Sequence, residues 1–260
     1  MKKIIRRILS FLGITKKTNL FESRESVSSF LSRLIPLEAN LKRIGNKNDG
    51  GYLIPEDIQI DTVFSPGVFD DDSFECYFAN QGIQCHLLDY SVESNPTQHR
   101  NITFEKKYLG YAELDNFINF DDWVQLKNFN FKGNFLLQMD IEGWEYNNLI
   151  NVSHETLKSF SVLIIEFHDF DNIIYRHVLK YYELIFSKLL LQFDIVHLHP
   201  NNACGFKKIE DLVVPNTIEI TFVRKGLITT SKKVAKIKNK LDAPNYYSIE
   251  DISIESWLVN

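Results

Sequence analysis

The feature that most constrains this chain is an alternation of short apolar runs with stretches of helical spacing. Five runs are dense in branched or aromatic residues: "DTVFSPG" (61–67), "QCHLLD" (84–89), "NITFE" (101–105), "NFLLQMD" (134–140) and "SVLIIEF" (161–167). Such runs predict strands, and the last two are apolar enough to be buried on both faces, as parallel strands are. Helical spacing lies between 71 and 82 and again from 172 to 190. The alternation predicts an α/β fold with a mostly parallel, doubly wound sheet.

Two further apolar runs follow one another without a helical pattern between them. They are "FDIVHLHP" (193–200) and "TIEITFVRK" (217–225), which predict a terminal antiparallel hairpin closing the sheet. A chain of 260 residues with 44% hydrophobic content can bury one full core. We expect an N-terminal helical extension, one main domain and a C-terminal tail, over residues 1–41, 42–225 and 226–260.

Charge and cysteine content narrow the class of partner. The chain has 29 basic and 34 acidic residues, a net charge of -5, which argues against a nucleic-acid partner because phosphate binding needs a basic surface. A small molecule or a glycan is the expected partner. The three cysteines have no paired close spacing, so neither a zinc site nor a disulfide framework is predicted, and a reducing, cytoplasmic location is expected.

The N-terminal segment "MKKIIRRILSFLG" (1–13) has the spacing of a basic amphipathic helix. It is too short and too charged to span a bilayer, and no small-residue cleavage site follows it. Two interpretations stay open. The helix attaches peripherally to an anionic membrane surface, or it packs on the domain or frays as a chain end.

Polar side chains stand where the predicted parallel strands end. In doubly wound sheets ligands bind outside these carboxyl ends, where loops diverge and helix N-termini present free N–H groups. Asp89 follows the first loop by roughly 20 residues, where an acid can accept both hydroxyls of a ribose. The residues that end strands at this edge are Ser65, Gly67, Asp70, Asp89, Asp140, Glu142, Glu166, His168 and Asp169.

The loop after the first strand distinguishes between two cofactors that carry a ribose. A dinucleotide pyrophosphate needs the close approach given by G-x-G-x-x-G, whereas "SPGVFDDDSF" (65–74) has one glycine followed by three aspartates that would repel phosphate. A sulfonium is cationic and tolerates these acids. The residues therefore favour S-adenosylmethionine over a nicotinamide cofactor.

The stretch "LLQMDIEGWEYNNL" (136–149) resembles the signature of FkbM-type S-adenosylmethionine-dependent methyltransferases, in which a strand leads into a D-x-E-G-x-E run. One departure is Phe69, which stands where such sequences often have a small residue or glycine. Further blocks resemble that family in the same order: "RIGNKNDGGYLIP" (43–55), "FSPGVFDDDSFE" (64–75), "IIEFHDF" (164–170), "HLHPNN" (197–202), "IEITFVRK" (218–225) and "LDAPN" (241–245). Together they span about 43–245.

This resemblance implies a Rossmann-like, class I methyltransferase fold and methyl transfer to a hydroxyl, often on a sugar or a natural product. The residues assigned to the cofactor site are Ser65, Gly67, Asp70, Phe74, Glu75, Asp89 and Asp140. The implied function is an S-adenosylmethionine-dependent O-methyltransferase acting on a sugar or a cell-surface glycan intermediate. The alternative is a methyltransferase-like domain that has lost catalysis and serves as a binding or scaffold module.

Transfer to an alcohol needs a positioned acceptor and a base for its proton. His168 ranks first as base, because it follows the fifth strand beside the acids of the fourth and titrates near neutrality when unperturbed. Asp140 and Glu142 could instead bind the cofactor amino group, orient His168 or hold a divalent metal. Asp140 could also do no more than cap the following helix.

Three residues near the end of the predicted sheet are candidates for binding acceptor hydroxyls: His199, Asn201 and Asn202. The asparagines could equally form only the turn after their strand. Residues 49–51, "DGG", read as a hairpin turn, and Trp144 reads as a pocket wall or a packing residue.

Overall fold

The computed structural model of the protein describes residues 20–111, 115–127 and 133–258. The amphipathic helix predicted for residues 1–13 lies outside the described residues. In the described part of the chain, no helix is both long enough and apolar enough to cross a membrane.

Helices and strands alternate over much of the chain, with several runs of consecutive strands. The helices are α1 (Arg24–Ser32), α2 (Ser73–Ala79), α3 (Phe120–Lys127), α4 (Glu145–Asn151), α5 (His154–Ser159) and α6 (Arg176–Gln192), with 3₁₀ turns at Phe170–Ile174 and Glu255–Trp257. The strands are β1 (Leu41–Gly45), β2 (Gly51–Pro55), β3 (Thr62–Pro66), β4 (Gln84–Leu88), β5 (Ile102–Glu105), β6 (Tyr108–Gly110), β7 (Phe117–Asn119), β8 (Phe135–Met139), β9 (Phe160–Phe167), β10 (Phe193–Pro200), β11 (Phe206–Ile209), β12 (Leu212–Pro215) and β13 (Ile218–Arg224).

Seven strands form the central sheet, in the order β10-β13-β9-β8-β3-β4-β5. Strands β3, β4, β5, β8 and β9 pair in parallel, whereas β13 runs antiparallel to both of its neighbours. The chain thus starts in the middle at β3, builds one half of the sheet, and crosses over to build the other. This strand order confirms the predicted Rossmann-like, class I methyltransferase fold.

The predicted antiparallel pair is β10 and β13, but it does not simply close the sheet. Strand β13 inserts between β9 and β10, so β10 forms the edge. Between these two strands the chain makes a separate hairpin, β11–β12, which the sequence pattern did not indicate.

The sheet is covered on both faces, as the apolar runs of β8 and β9 require. Leu136 and Ile164 face a layer made by the β1–β2 hairpin and α2, where Tyr52 and Phe74 meet edge to face. The alternate residues of the same strands face helices α1, α3, α4 and α6. Because successive side chains of a strand point to opposite faces, two apolar layers demand the continuous apolar runs seen in the sequence.

The segment after β13 returns across the domain. The Trp257 indole N–H donates to the Val213 carbonyl at 2.8 Å, and the Glu255 carboxylate accepts from the Ile237 and Lys238 amides. Further back, the Asn245 side chain donates to Glu219 on β13 at 3.1 Å. Through Asn245, the segment after β13 therefore reaches the edge of the sheet where the parallel strands end.

Candidate functional site

Two adjoining cavities lie at the carboxyl ends of β3, β4 and β8. The larger has a volume of about 630 Å³ and the smaller about 300 Å³. Four residues line both of them: Gly67, Phe69, Asp140 and Glu142. The site predicted at this edge of the sheet is therefore one continuous region with two compartments.

Gly67 holds the loop after β3 close to β8. Its φ is +88°, and a Cβ there would lie 1.5 Å from the Asp140 carbonyl oxygen. Its N–H donates to the Leu88 carbonyl at 2.8 Å, while the Asp140 N–H donates to the Pro66 carbonyl at 3.3 Å. Glycine is required here because backbone, not side chain, fills the space between the ends of β4 and β8.

Asp89, at the end of β4, lines the larger cavity. Its Oδ2 accepts from the Val68 and Phe69 amides at 3.1 and 2.8 Å. Its Oδ1 accepts from the Ser91 amide at 2.7 Å and from the Ser91 hydroxyl at 2.6 Å. The carboxylate predicted to bind a ribose thus also fixes the loop after β3.

Phe69, the one departure noted from the FkbM-type sequences that the chain resembles, has an unusual backbone conformation. Its φ is +46°, in the left-handed region that favours glycine. The residue is 62% exposed and lines both cavities. Glu142 and Asp169, after β8 and β9, also have positive φ. Such residues carry strain on the order of 1–3 kcal/mol and cluster at functional sites.

Aromatic rings form the walls of the larger cavity. Tyr108 and Phe117, from the small β6–β7 pair, lie 5.2 Å apart between ring centroids, and Trp144 lies 6.1 Å from Phe117. Trp144 is therefore a cavity wall, which settles the choice left open by the sequence. A slot with aromatic walls and an acid at its edge suits an adenosine, whose base stacks while its ribose is hydrogen-bonded.

The D-x-E-G-x-E run and His168 form a compact cluster. His168 Nδ1 lies 3.2 Å from Glu145 Oε1, while its Nε2 lies 3.5 Å from Glu142 Oε2 and 3.8 Å from Asp140 Oδ1. Glu145 is fully buried at the start of α4 and also accepts from the Ile141 and Gly143 amides. It fixes the imidazole with Nε2 toward the two carboxylates.

The ionisable groups of this cluster shift one another's pKa. Burial alone would lower the pKa of the His168 imidazole, but the hydrogen bond to Glu145 and the charges of Glu145, Asp140 and Glu142 raise it to about 9. Burial raises the pKa of the Asp140 carboxyl to about 7, against the charge of His168. At neutral pH His168 is therefore a cation, and Asp140 is the group that titrates.

The helix cap considered for Asp140 is not formed: Trp144 is the N-cap residue of α4, and its side chain makes no capping hydrogen bond. Asp140 Oδ1 is buried without a hydrogen-bond partner among the described residues, whereas Glu145 takes the loop amides before α4. An unpartnered buried oxygen is unfavourable. It lies beside two cavities, where a ligand or a proton would satisfy it.

The same cluster has donors that fit a divalent cation. One ligand atom each from Asp140, Glu142 and His168 lies within 4.8 Å of the others, and Glu145 holds the far side of the imidazole. Carboxylate oxygens with one imidazole suit Mn²⁺, Fe²⁺ or Zn²⁺, and a hydrogen-bonded second ring nitrogen is the usual support of a ligating histidine. A cation here would first have to displace the His168 proton.

Three of the remaining predicted cofactor residues line the smaller cavity, and the fourth, Ser65, lies behind its wall. Asp70, Phe74 and Glu75 line the smaller cavity. Ser65 is buried and hydrogen-bonded to Glu75. It donates to Gln138 Oε1 at 2.6 Å, and the Gln138 amide donates to the Tyr52 hydroxyl at 3.0 Å. Burial raises the pKa of Glu75 to about 7. Ser65 therefore belongs to a buried polar chain beneath the cavity.

The three residues predicted to bind acceptor hydroxyls all have partners within the chain. His199 Nδ1 lies 3.5 Å from Glu219 Oε1, and Asn201 donates to Glu166 at 3.0 Å. Asn202 donates to the Tyr246 and Ile249 carbonyls and accepts from the Tyr246 amide. Asn202 thus ties the returning C-terminal segment to the end of β10, whereas Asn201 is held by β9.

Several residues that line or support the site were not predicted from the sequence. Glu145 stood inside the D-x-E-G-x-E run, and its place as the third acid of that run was the signal that could have marked it. Tyr108 and Phe117 come from short strands outside the main sheet, where no pattern marks a cavity wall. Asp49 read as part of a turn, and it does follow β1 in the β1–β2 hairpin, yet it also lines the smaller cavity.

No family model and no curated protein matches the sequence. Distant solved structures share features of the fold. A chain of the fibrillarin/Nop5p complex is 12% identical, with a TM-score of 0.37, covering 63% of this chain and 72% of that chain. The Methanococcus jannaschii fibrillarin pre-rRNA processing protein is 11% identical, with a TM-score of 0.38, covering 82% and 87%. The N-terminal domain of EvdMO1, solved in the presence of SAH and D-fucose, is 9% identical, with a TM-score of 0.35, covering 80% and 100%.

The FkbM resemblance stays a prediction.

Proposed function

We propose that the chain is an S-adenosylmethionine-dependent methyltransferase that methylates a hydroxyl group of a sugar or of a glycan intermediate. The observation that carries this proposal is the larger cavity, with aromatic walls, Asp89 in its lining, and Asp140 and Glu142 shared with a second, polar compartment. A cofactor and an acceptor need two adjoining compartments whose shared wall is where transfer takes place.

The larger cavity would hold the adenosine. Tyr108, Phe117 and Trp144 offer faces for the base, and Asp89 offers a carboxylate for the ribose. The acidic cluster suits a cationic sulfonium and disfavours a pyrophosphate. S-adenosylmethionine supplies a methyl group on that sulfonium.

The chain's own residues then manage the acceptor's proton. Asp140 lines both cavities, and with a carboxyl pKa of about 7 it is divided between its two protonation states at neutral pH. His168 supplies the positive charge that keeps Asp140 from being protonated still more readily. Asp140 is thus the cavity-facing base, and His168, first in the sequence ranking, acts beside it.

Cofactor binding is the direct test of the proposal. The full chain should unfold at higher temperature with S-adenosylmethionine or its demethylated product, because a ligand at 100 times its dissociation constant stabilises by about 2.7 kcal/mol. NAD and NADP serve as controls and should give no shift. A shift with the dinucleotides alone would contradict the proposal.

Asp89→Asn should weaken S-adenosylmethionine binding by about 1.5–3 kcal/mol, since the charge-assisted hydrogen bonds to the ribose are lost. Calorimetry measures the affinity. Asp57→Asn, at an exposed acid outside both cavities, is the matched control and should bind as the wild type does.

The same Asp89→Asn substitution should also loosen the loop after β3, because the amide that replaces the carboxylate has only one acceptor oxygen for the Val68, Phe69 and Ser91 donors. Chemical denaturation separates this effect from the binding defect. Unchanged affinity in a folded Asp89→Asn protein would remove Asp89 from the cofactor site.

A further inference from the structure

The smaller cavity continues into an open cleft of about 470 Å³, which we call the outer cleft. The two share Asn46 and Asp49 in their linings. The outer cleft is otherwise lined by Asn48, Asn245, Tyr246, Tyr247 and Ser248. A molecule lying in it would reach the carboxylates of the catalytic cluster by way of Asp49.

Asn245 gives this cleft an unused hydrogen-bond acceptor. Its side chain is 4% exposed, and its Nδ2 donates to Asp49 Oδ1 at 2.9 Å and to Glu219 Oε1 at 3.1 Å. Its Oδ1 is buried and has no hydrogen-bond partner in the described part of the chain. A buried acceptor left unpaired is unfavourable, and a donor entering the cleft would relieve that cost.

Two tyrosines flank this acceptor with exposed rings. Tyr246 is 59% and Tyr247 68% exposed. The backbone of Tyr246 is held on both sides by Asn202, so the rings stand on a fixed segment, not a free loop. Exposed aromatic rings beside fixed polar groups are typical of binding surfaces.

The charge of the cleft selects among ligands. Its lining residues, all within the described ranges, include one aspartate, three asparagines and no lysine or arginine. Phosphate groups would lack a cationic partner there. A neutral ring with many hydroxyl groups fits, because its O–H groups can donate to the oxygens of Asp49 and Asn245 while its C–H face lies on a tyrosine ring.

We propose that the outer cleft is the subsite for the acceptor sugar, with the Asn245 carbonyl and Asp49 accepting from its hydroxyls and Tyr246 and Tyr247 contacting its ring. This proposal rests on the proposed function and deepens it. The sugar would sit beside the smaller cavity with one hydroxyl directed toward Asp140. Specificity for the sugar then lies in the C-terminal segment and the β1–β2 loop, not in the sheet.

Saturation-transfer NMR on the full chain tests this subsite. The probes are the methyl pyranosides of glucose, galactose, mannose, fucose and rhamnose, with the demethylated cofactor product present. At least one probe should receive saturation from the protein. Tyr246→Ala and Tyr247→Ala should each weaken the affinity for that probe by about 3- to 10-fold, the equivalent of one lost ring contact. Both side chains are exposed, so these variants should fold. Tyr77→Ala, on α2 and outside the lining of both cavities and the cleft, is the matched control.

A second set of probes addresses Asn245 without altering the protein. Replacing one hydroxyl of the binding pyranoside with fluorine removes a donor and keeps the size, so the probe fluorinated at the Asn245 contact should lose affinity. Calorimetry with the demethylated cofactor product is run in parallel. If that product binds and no pyranoside does, or if both tyrosine variants bind as the wild type does, the subsite is wrong and the proposed function stands. If the product does not bind, the proposed function itself fails.

Discussion

His168→Asn should lower methyl-transfer turnover at pH 7 by roughly 10–10³, because a nearby opposite charge lowers a carboxyl pKa by about 1–3 and that charge is lost. Asparagine keeps a polar group of similar size, so the change tests charge more than packing. The imidazolium opposes protonation of Asp140, and without it the Asp140 carboxyl, whose pKa is already raised to about 7, would titrate still higher. Steady-state turnover with a tritium-labelled cofactor measures the effect, and cofactor affinity should change little.

The pH profile identifies the base. A base acts in its deprotonated form, so wild-type rate must fall as pH drops through the relevant pKa: through about 7 for Asp140 and through about 9 for His168. If Asp140 is the base, His168→Asn should recover activity at alkaline pH. If His168 is the base, no pH restores it.

A metal at the cluster gives a third pattern, in which a chelator abolishes wild-type turnover and added Mn²⁺ or Zn²⁺ restores it. Wild-type turnover in the His168→Asn protein at every pH would contradict all three assignments. Asp140→Asn should likewise reduce turnover, and a loss of stability with full activity would return Asp140 to a structural role.

Gly67→Ala should destabilise the protein by about 3 kcal/mol or more and disturb both cavities, because overpacking and left-handed strain act together there. A Cβ at this position would lie 1.5 Å from the Asp140 carbonyl oxygen and 3.2 Å from the Ile141 side chain, so β3 and β8 would have to separate at their carboxyl ends. Their separation would displace Asp140 from His168.

Gly226→Ala isolates the clash from the strain. Gly226 has the same φ of +88°, but a Cβ there meets nothing within 4 Å. It should lose only the strain of a left-handed alanine, about 1–2 kcal/mol. Urea denaturation of the two variants gives the difference. Equal destabilisation would show that the approach of Gly67 to Asp140 does not constrain the fold.

The fold was readable from the sequence because its strands are marked by apolar runs. The run "FDIVHLHP" became β10 with the predicted bounds, and the apolar runs at 134–140 and 161–167 became strands buried on both faces, since only a doubly covered sheet supports them. The insertion of β13 between β9 and β10 was not readable. A hairpin with β13 at the edge of the sheet would also place β13 antiparallel to β10. The two arrangements differ only in whether β13 also pairs with β9, and the apolar pattern is the same in both.

Site residues that follow the end of a strand could be predicted from the sequence. Site residues contributed by segments far away in the sequence could not. Asp89, Asp140 and His168 each follow a strand, so topology alone brings them to one edge. Asn245 reaches the same edge from a segment without regular structure, and no local pattern states that it will donate to Asp49, which lies 196 residues earlier, at 2.9 Å. The raised pKa values of Asp140 and His168 could not be predicted either, because a pKa shift depends on neighbours in space.

The left-handed backbone at Phe69, Glu142 and Asp169 bears on any effort to make this protein more heat-resistant. Exchanging a left-handed residue for glycine relieves strain, so an engineer guided by melting temperature would choose these three positions early. Two of them supply the ring and the carboxylate that the cavities share. Sites chosen for thermal hardening should therefore come from elsewhere. Glu210, in the turn between β11 and β12, has the same backbone shape and lines neither cavity.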